Sequence, residues 1–264
     1  INCTEVLKND QEVSLINDGD IGKVYSGQLN IKINEINIKE LPSINTKLMF
    51  NIASPEIAFN YHNYPVHGVG LVRQEFMFNN YIKVHPMALL KHKELNDPEL
   101  TKEINKLIEG YDDENDYFLK KLSYGLSRIG AAFKDHDVIV RFSDFKSNEY
   151  RNLLGGKYFE PIEENPMIGW RGASRYYSPK YREAFGMECK AIKYIRDEMG
   201  LTNIVVMIPF CRTVGECIRV QATMKEYGLE RGKNGLRVYL MCEVPSNVIL
   251  AEQFAKYIDG FSIG

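Results

Sequence analysis

The chain has 264 residues, 44% of them hydrophobic and 26% charged, with a formal net charge of -2; that length can bury a full core, and that balance belongs to an ordinary soluble globular protein. So small a net charge leaves no electrostatic reason to expect nucleic acid or an anionic membrane surface as partner, and no apolar run approaches the roughly 20 residues of a membrane span. The N-terminal Ile1-Asn-Cys-Thr-Glu-Val-Leu carries neither an initiator Met nor a signal-peptide pattern, so the chain reads as a piece of a longer one.

From the N-terminus, Gln11-Glu-Val-Ser-Leu-Ile, Gly22-Lys-Val-Tyr-Ser and Gln28-Leu-Asn-Ile-Lys-Ile are short β-rich runs, the first two separated by the turn Asn17-Asp-Gly-Asp. A Lys/Glu/Asn/Pro stretch around residues 31–45 reads as a linker. From Thr46 a βα alternation begins: Lys47-Leu-Met-Phe-Asn-Ile is a strand candidate, and Ser54-Pro-Glu has the form of an N-cap with Pro at the first helical position. A strand ends on Arg73, and a long helical region runs from about His85 to Phe133, broken near the acidic turn that starts at Gly110. Strands over Val138–Arg141 and Met167–Arg171 follow, then a helix from Ser178 to about Met199. The strand Ile204–Pro209 leads to Thr213-Val-Gly-Glu, a capping-box pattern opening a helix. Leu236–Cys242 is a strand before a helix at about Ser246–Tyr257, and Gly260-Phe-Ser-Ile-Gly264 is the last strand.

Five of the apolar runs finish on or next to a charged side chain: Arg73, Arg141, Arg171, Arg212 and Glu243. Burying an unpaired charge costs several kcal/mol, so a core strand has no energetic reason to end this way. Charges at the C-terminal ends of successive parallel strands converge on one rim, where barrel enzymes build their active sites. Strands alternating with helices imply parallel pairing, and no Gly-rich phosphate turn of the Rossmann type follows any of them. The seven βα-type strands point to an α/β chain of the (β/α)8 type, one strand short.

Guanidinium forks grip carboxylate and phosphate bidentately, as lysine cannot. Arg73, Arg141 and Arg171 in equivalent positions therefore suggest a small anionic ligand, with Arg212 a weaker candidate. Glu243 suits a hard cation such as Mg2+ or a salt bridge to a rim arginine. Arg175 and Glu75 are candidate partners behind these groups, and Asp144 is placed to orient an arginine or a water. The five cysteines form no CxxC pair and no zinc array, and read as reduced packing residues.

The segments Gly-Val-Gly-Leu-Val-Arg-Gln-Glu-Phe, Val-Arg-Phe-Ser-Asp-Phe-Lys-Ser-Asn-Glu-Tyr, Glu-Asn-Pro-Met-Ile-Gly-Trp-Arg-Gly-Ala-Ser-Arg-Tyr, Met-Ile-Pro-Phe-Cys-Arg-Thr and Met-Cys-Glu-Val-Pro-Ser-Asn resemble the C-terminal part of the phosphoenolpyruvate (PEP) synthases, within the PEP-utilizing enzyme family. The resemblance covers nearly all of Thr46–Gly264. It implies a (β/α)8 barrel over residues 46–264, truncated before its last strand, that binds pyruvate or PEP with Mg2+. Arg73, Arg141 and Arg171 would be the catalytic and substrate-binding residues, and Glu243 would hold substrate and Mg2+. Residues 1–30 would be the closing β segment of a swivelling phosphohistidine domain, with the linker at 31–45. The family's reaction also needs an ATP-grasp domain, a second Mg2+ carboxylate beyond the Phe-Ser-Ile-Gly motif and a later cysteine acid, so this chain alone is expected to lack the full activity. The resemblance further implies a cytoplasmic, homo-oligomeric parent. Barrels of pyruvate phosphate dikinase or of the phosphotransferase-system enzyme I, or a non-catalytic assembly domain, remain the alternatives.

Overall fold

A computed structural model describes residues 6–17, 22–32 and 44–264. Strands β1 (Val13–Asn17) and β2 (Gly22–Ser26) form an antiparallel hairpin, as their β-rich runs predict. Asp18–Asp20 of the expected turn, and most of the expected linker, lie outside the described residues.

The remaining strands, β3 (Phe50–Ile52), β4 (Gly68–Arg73), β5 (Asp137–Arg141), β6 (Ile204–Ile208), β7 (Val238–Cys242) and β8 (Gly260–Ile263), make one six-stranded parallel sheet in sequence order. Parallel neighbours taken in chain order, with right-handed crossovers, put every connecting helix on one face. That face carries the main core: Val69, Val72, Val138, Val140, Ile204, Val206, Ile208, Val238 and Leu240 pack beneath the helices. The alternate side chains Ile139, Val205, Met207 and Met241 form a second cluster on the other face, with Leu71 and Tyr239. Met207 there is wholly buried. Neighbouring strands shield it because the sheet curls into a half-barrel.

Among the described residues the four long helices are α1 (Pro98–Leu107), α2 (Glu114–Ala132), α3 (Arg182–Asp197) and α4 (Val214–Glu226). The first two and the last start on the oxygen-bearing caps Asp97, Asp113 and Thr213, each accepting a backbone N–H of the first turn. The break expected near Gly110 is the turn between α1 and α2. At Ser54 the extended cap and following proline are present, but they open a 3-10 turn (Pro55–Ile57), and the hydroxyl goes to the Glu56 carboxylate instead of to the backbone. The helix expected over Ser246–Tyr257 is two short pieces, Pro245–Ile249 and Ala251–Phe254.

One expected strand is absent. Met167–Arg171 is a turn-rich loop, so the sheet has six parallel strands and not seven. Two facts exclude a strand there. β5 pairs directly with β6, in register from Val138↔Ile204 to Arg141↔Met207, leaving no slot between them. Met167 and Ile168 are 55% and 67% exposed, so the apolar run is not buried on either face. Cys189, Cys211, Cys217 and Cys242 are free thiols, the first three buried, and Cys3 lies outside the described residues.

Candidate active site

The charged strand ends meet on one rim. Arg73 and Arg141 close β4 and β5 and are direct register partners across the two strands. The Arg73 side chain is exposed, lines a cavity of about 170 Å³ with Asn51, Leu71 and Phe76, and has no hydrogen-bond or ion-pair partner among the described residues. It is a cation offered to solvent. Arg141 is 12% exposed and held from below: its Nη2 donates to Glu75 Oε1 (2.7 Å), and its Nη1 lies 3.6 Å from Asp144 Oδ2. The same Glu75 oxygen accepts the Asp144 backbone N–H (2.7 Å). Burial raises the Glu75 pKa against the pull of Arg141, and Glu75 Oε2 and Arg141 Nε are buried without a partner among the described residues.

Arg171 reaches the rim although its segment is not a strand. Asp144 grips it bidentately, accepting from Nε at 3.0 Å and from Nη2 at 2.6 Å. This geometry is far stronger than a single contact, and the carboxylate is only 1% exposed. The next residue, Gly172, takes φ 57°, and a Cβ there would sit 2.6 Å from both Pro209 O and Phe210 Cβ. Only glycine lets the loop turn so tightly against the end of β6.

Glu243 follows β7, and its Oε1 accepts the Phe210 N–H at 2.6 Å. Partial burial and the nearby Asp144 raise its pKa, while that hydrogen bond and the charges of Arg141 and Arg171 lower it, so these four groups share one electrostatic neighbourhood. The Pro-Ser-Asn that follows has a structural purpose. Buried Asn247 accepts the N–H groups of Glu243 (3.2 Å) and Val244 (3.1 Å) through Oδ1, and its Nδ2 donates to Cys211 O (2.8 Å). One side chain thus ties the loop after β7 to the loop after β6. Replacing Asn247 by Ala leaves three backbone groups without this partner and is expected to cost about 2 kcal/mol; chemical denaturation of the variant measures it.

Of the residues singled out in the sequence, Arg141, Arg171, Asp144, Glu75 and Glu243 come together, with Arg73 beside Arg141. Arg175 lies deeper. It is fully buried, pairs with Glu160 through both Nη atoms and donates from Nε to Trp170 O (2.8 Å). The guanidinium of Arg212 touches loop carbonyls instead of a carboxylate. Sequence reading missed Phe210, which adopts a left-handed φ of 47°, and the network behind Asp144, in which Glu188 accepts both the N–H (3.1 Å) and the hydroxyl (2.6 Å) of Ser143. A signal for Glu188 was present: it stands at i+3 from Phe185 and i-4 from Ile192, on the apolar stripe of α3.

The parallel sheet thus carries a rim on which Arg73, Arg141 and Arg171 meet the carboxylates of Glu75, Asp144 and Glu243, and the family profile described as "PEP-utilising enzyme, PEP-binding domain" matches residues 30–264. The chain belongs to this family. Among curated relatives, it is 54% identical over 264 residues to a phosphoenolpyruvate synthase of Synechocystis, aligning 99% of this chain with 32% of that protein. It is 47% identical over 309 residues to the one of Aquifex aeolicus, aligning the whole chain with 36% of it. With that of Escherichia coli it shares 46% identity over 263 residues, aligning 99% of this chain with 33% of that protein. The chain spans about a third of the length of these relatives.

Proposed function

We propose that this chain is the pyruvate- and PEP-binding part of a phosphoenolpyruvate synthase, its half-barrel belonging to a (β/α)8 barrel. In the whole enzyme ATP and water would phosphorylate a histidine on a swivelling domain, with release of AMP and phosphate. The phosphoryl group would then pass from that histidine to the enolate oxygen of pyruvate, as the methyl group gives up a proton. The observation that carries this reading is the register pairing of Arg73 with Arg141, joined by Arg171 through the carboxylate of Asp144. Phosphoryl transfer is chiefly positioning and charge neutralisation. The free Arg73 is suited to take the incoming anion. Arg141 and Arg171, already fixed by Glu75 and Asp144, lose little conformational freedom on meeting it.

Among the described residues no group of three or more His, Cys, Asp or Glu forms a metal cage. Mg2+ nevertheless often takes only one or two protein carboxylates and completes its shell with water and substrate oxygens. Glu243 fits that need, with Oε1 on the Phe210 N–H and its other oxygen available. Bound there, Mg2+ would neutralise charge on the enolate and phosphoryl oxygens. The β1–β2 hairpin is read as the end of the swivelling domain, a boundary supported by the family match beginning at residue 30. No helix of the described residues is long and apolar enough to cross a membrane.

Oxalate, a mimic of the pyruvate enolate, tests the site. Trp170 is the chain's sole tryptophan and adjoins Arg171. Its fluorescence is expected to change saturably with oxalate when Mg2+ is present, and Arg171→Ala is expected to weaken binding about a hundredfold, as loss of charge-assisted contacts worth about 3 kcal/mol would. Absence of saturable binding, by fluorescence and by calorimetry, overturns the assignment.

A further inference from the structure

The loop that presents Arg171 has few contacts of its own: Ile162 is 85% exposed, Met167 55% and Ile168 67%. Arg212 reaches across to it from the end of β6. Its Nη2 donates to the carbonyls of Ile168 (3.0 Å) and Gly169 (2.5 Å), and its Nη1 to Ser174 Oγ (3.4 Å), so the same guanidinium grips the chain on both sides of Arg171. The guanidinium carbon stands 4.6 Å from the centroid of the Phe210 ring, and that of Arg171 stands 4.4 Å from the same centroid. Arg212 is itself fixed at both backbone ends. Its N–H donates to Glu216 Oε2 (2.6 Å), and its carbonyl accepts the Ser246 hydroxyl (2.6 Å). The left-handed φ of 47° at Phe210 aims the ring from a backbone whose N–H is held by Glu243. Strain of this kind persists only where the surroundings over-determine it.

We infer that Arg212 is a positioning residue: it clamps the carbonyls of Ile168 and Gly169, with Phe210 as a shared platform, so that Arg171 arrives at the rim already oriented. Its fork is spent on the loop and not held out to the ligand. What the clamp does for binding rests on the anion site proposed above; the clamp itself does not. Lysine keeps the charge at 212 but has no planar fork to span two carbonyls and a hydroxyl, which separates a role in geometry from a role in charge.

Arg212→Lys and Arg212→Met are compared with the unaltered chain in two measurements. The first is amide hydrogen exchange without ligand. Gly169 and Trp170, whose N–H groups bond Pro166 O and the Glu163 carboxylate, are expected to exchange at least tenfold faster in both variants. Val205–Met207 of β6 should be unchanged, which shows that the fold survives. The second is oxalate titration with Mg2+, where Arg212→Lys is expected to bind about tenfold more weakly, and to add no further loss in an Arg171→Ala background. Unchanged exchange at Gly169 and Trp170 overturns the clamp. A lysine variant that keeps full affinity, or a loss that persists without Arg171, overturns the positioning role and makes Arg212 a direct ligand contact. If the unaltered chain fails to bind oxalate, the site assignment falls while the exchange measurement still decides the clamp.

Discussion

Arg175→Met is expected to destabilise the chain by about 3–5 kcal/mol, the cost of leaving a buried charge without its partner. Arg175 and Glu160 are both wholly buried at the side chain. Burial alone would raise the Glu160 pKa, but hydrogen bonds from Arg175 and His85 outweigh it and lower the value. His85 is kept neutral by its own burial; its Nδ1 accepts the Met87 N–H (3.1 Å), so the proton sits on Nε2, facing Glu160 Oε1 at 2.9 Å. The arginine also stacks within 4.1 Å of the Trp170 ring centroid and 4.3 Å of that of Tyr150. Methionine keeps some packing and none of the charge. With its pKa lowered by folding, Glu160 in the native chain adds stability above the unfolded carboxyl pKa, lost as pH falls through the folded value. In Arg175→Met that sign reverses, so acidification should relieve part of the defect. Adding Glu160→Gln should likewise recover part of the loss. Denaturation of the single and double variants at two pH values checks both, and equal instability of the two variants would show that the orphan carboxylate is not the cause. Because Arg175 also holds Trp170, the emission of the single variant should shift.

Glu188 is expected to give the chain a pH-dependent stability of about 3 kcal/mol. Complete burial pushes its carboxyl up from 4.5 to about 7, against the hydrogen bonds it accepts from Ser143. Folding therefore favours the protonated acid. Between those two values the native state holds a proton that the unfolded state has lost. Stability from this group is thus fully present below about pH 4.5 and declines as pH rises to about 7. Glu188→Gln removes the titration. The stability difference between native and variant chains should change by about 3 kcal/mol across that window and stay level above it; parallel curves would refute the linkage. The consequence reaches the rim, since Glu188 fixes Ser143, the residue before the Asp144 that grips Arg171. Tyr176 holds the Ser143 carbonyl at 2.8 Å, and Tyr150 meets its hydroxyl at 2.7 Å. Burial raises the pKa of both phenols, keeping them protonated.

Much of this architecture was legible along the chain because the forces that create it are local in sequence. An apolar run buried on both faces of a parallel sheet is continuous, so β4, β5, β6 and β7 announce themselves. An arginine or glutamate at the end of such a run has no place in a core, which is why Arg73, Arg141 and Glu243 could be found without coordinates. The cap Thr213 follows from the unpaired N–H groups of a first helical turn.

Tertiary structure decided what depends on residues distant in the chain. Met167–Arg171 has the composition of a strand, yet direct pairing of β5 with β6 denies it a place, and Asp144, 27 residues earlier, brings Arg171 to the rim by charge. Arg175 reads from the sequence as a partner behind the rim groups, and the fold sets it deeper still, where Glu160 and a ring of aromatic side chains hold it in the core. The meanings of Arg212, Phe210, Asn247 and Glu188 lie in which carbonyl, ring or hydroxyl the fold sets within about 3–5 Å of them. Local propensity and hydrophobic pattern act between neighbours, so they mark β4 to β7, and with them Arg73, Arg141 and Glu243, along the chain. Hydrogen bonds and ion pairs act over a few ångströms between any two residues, so which charges stand free on the rim and which hold the others in place depends on the folded chain.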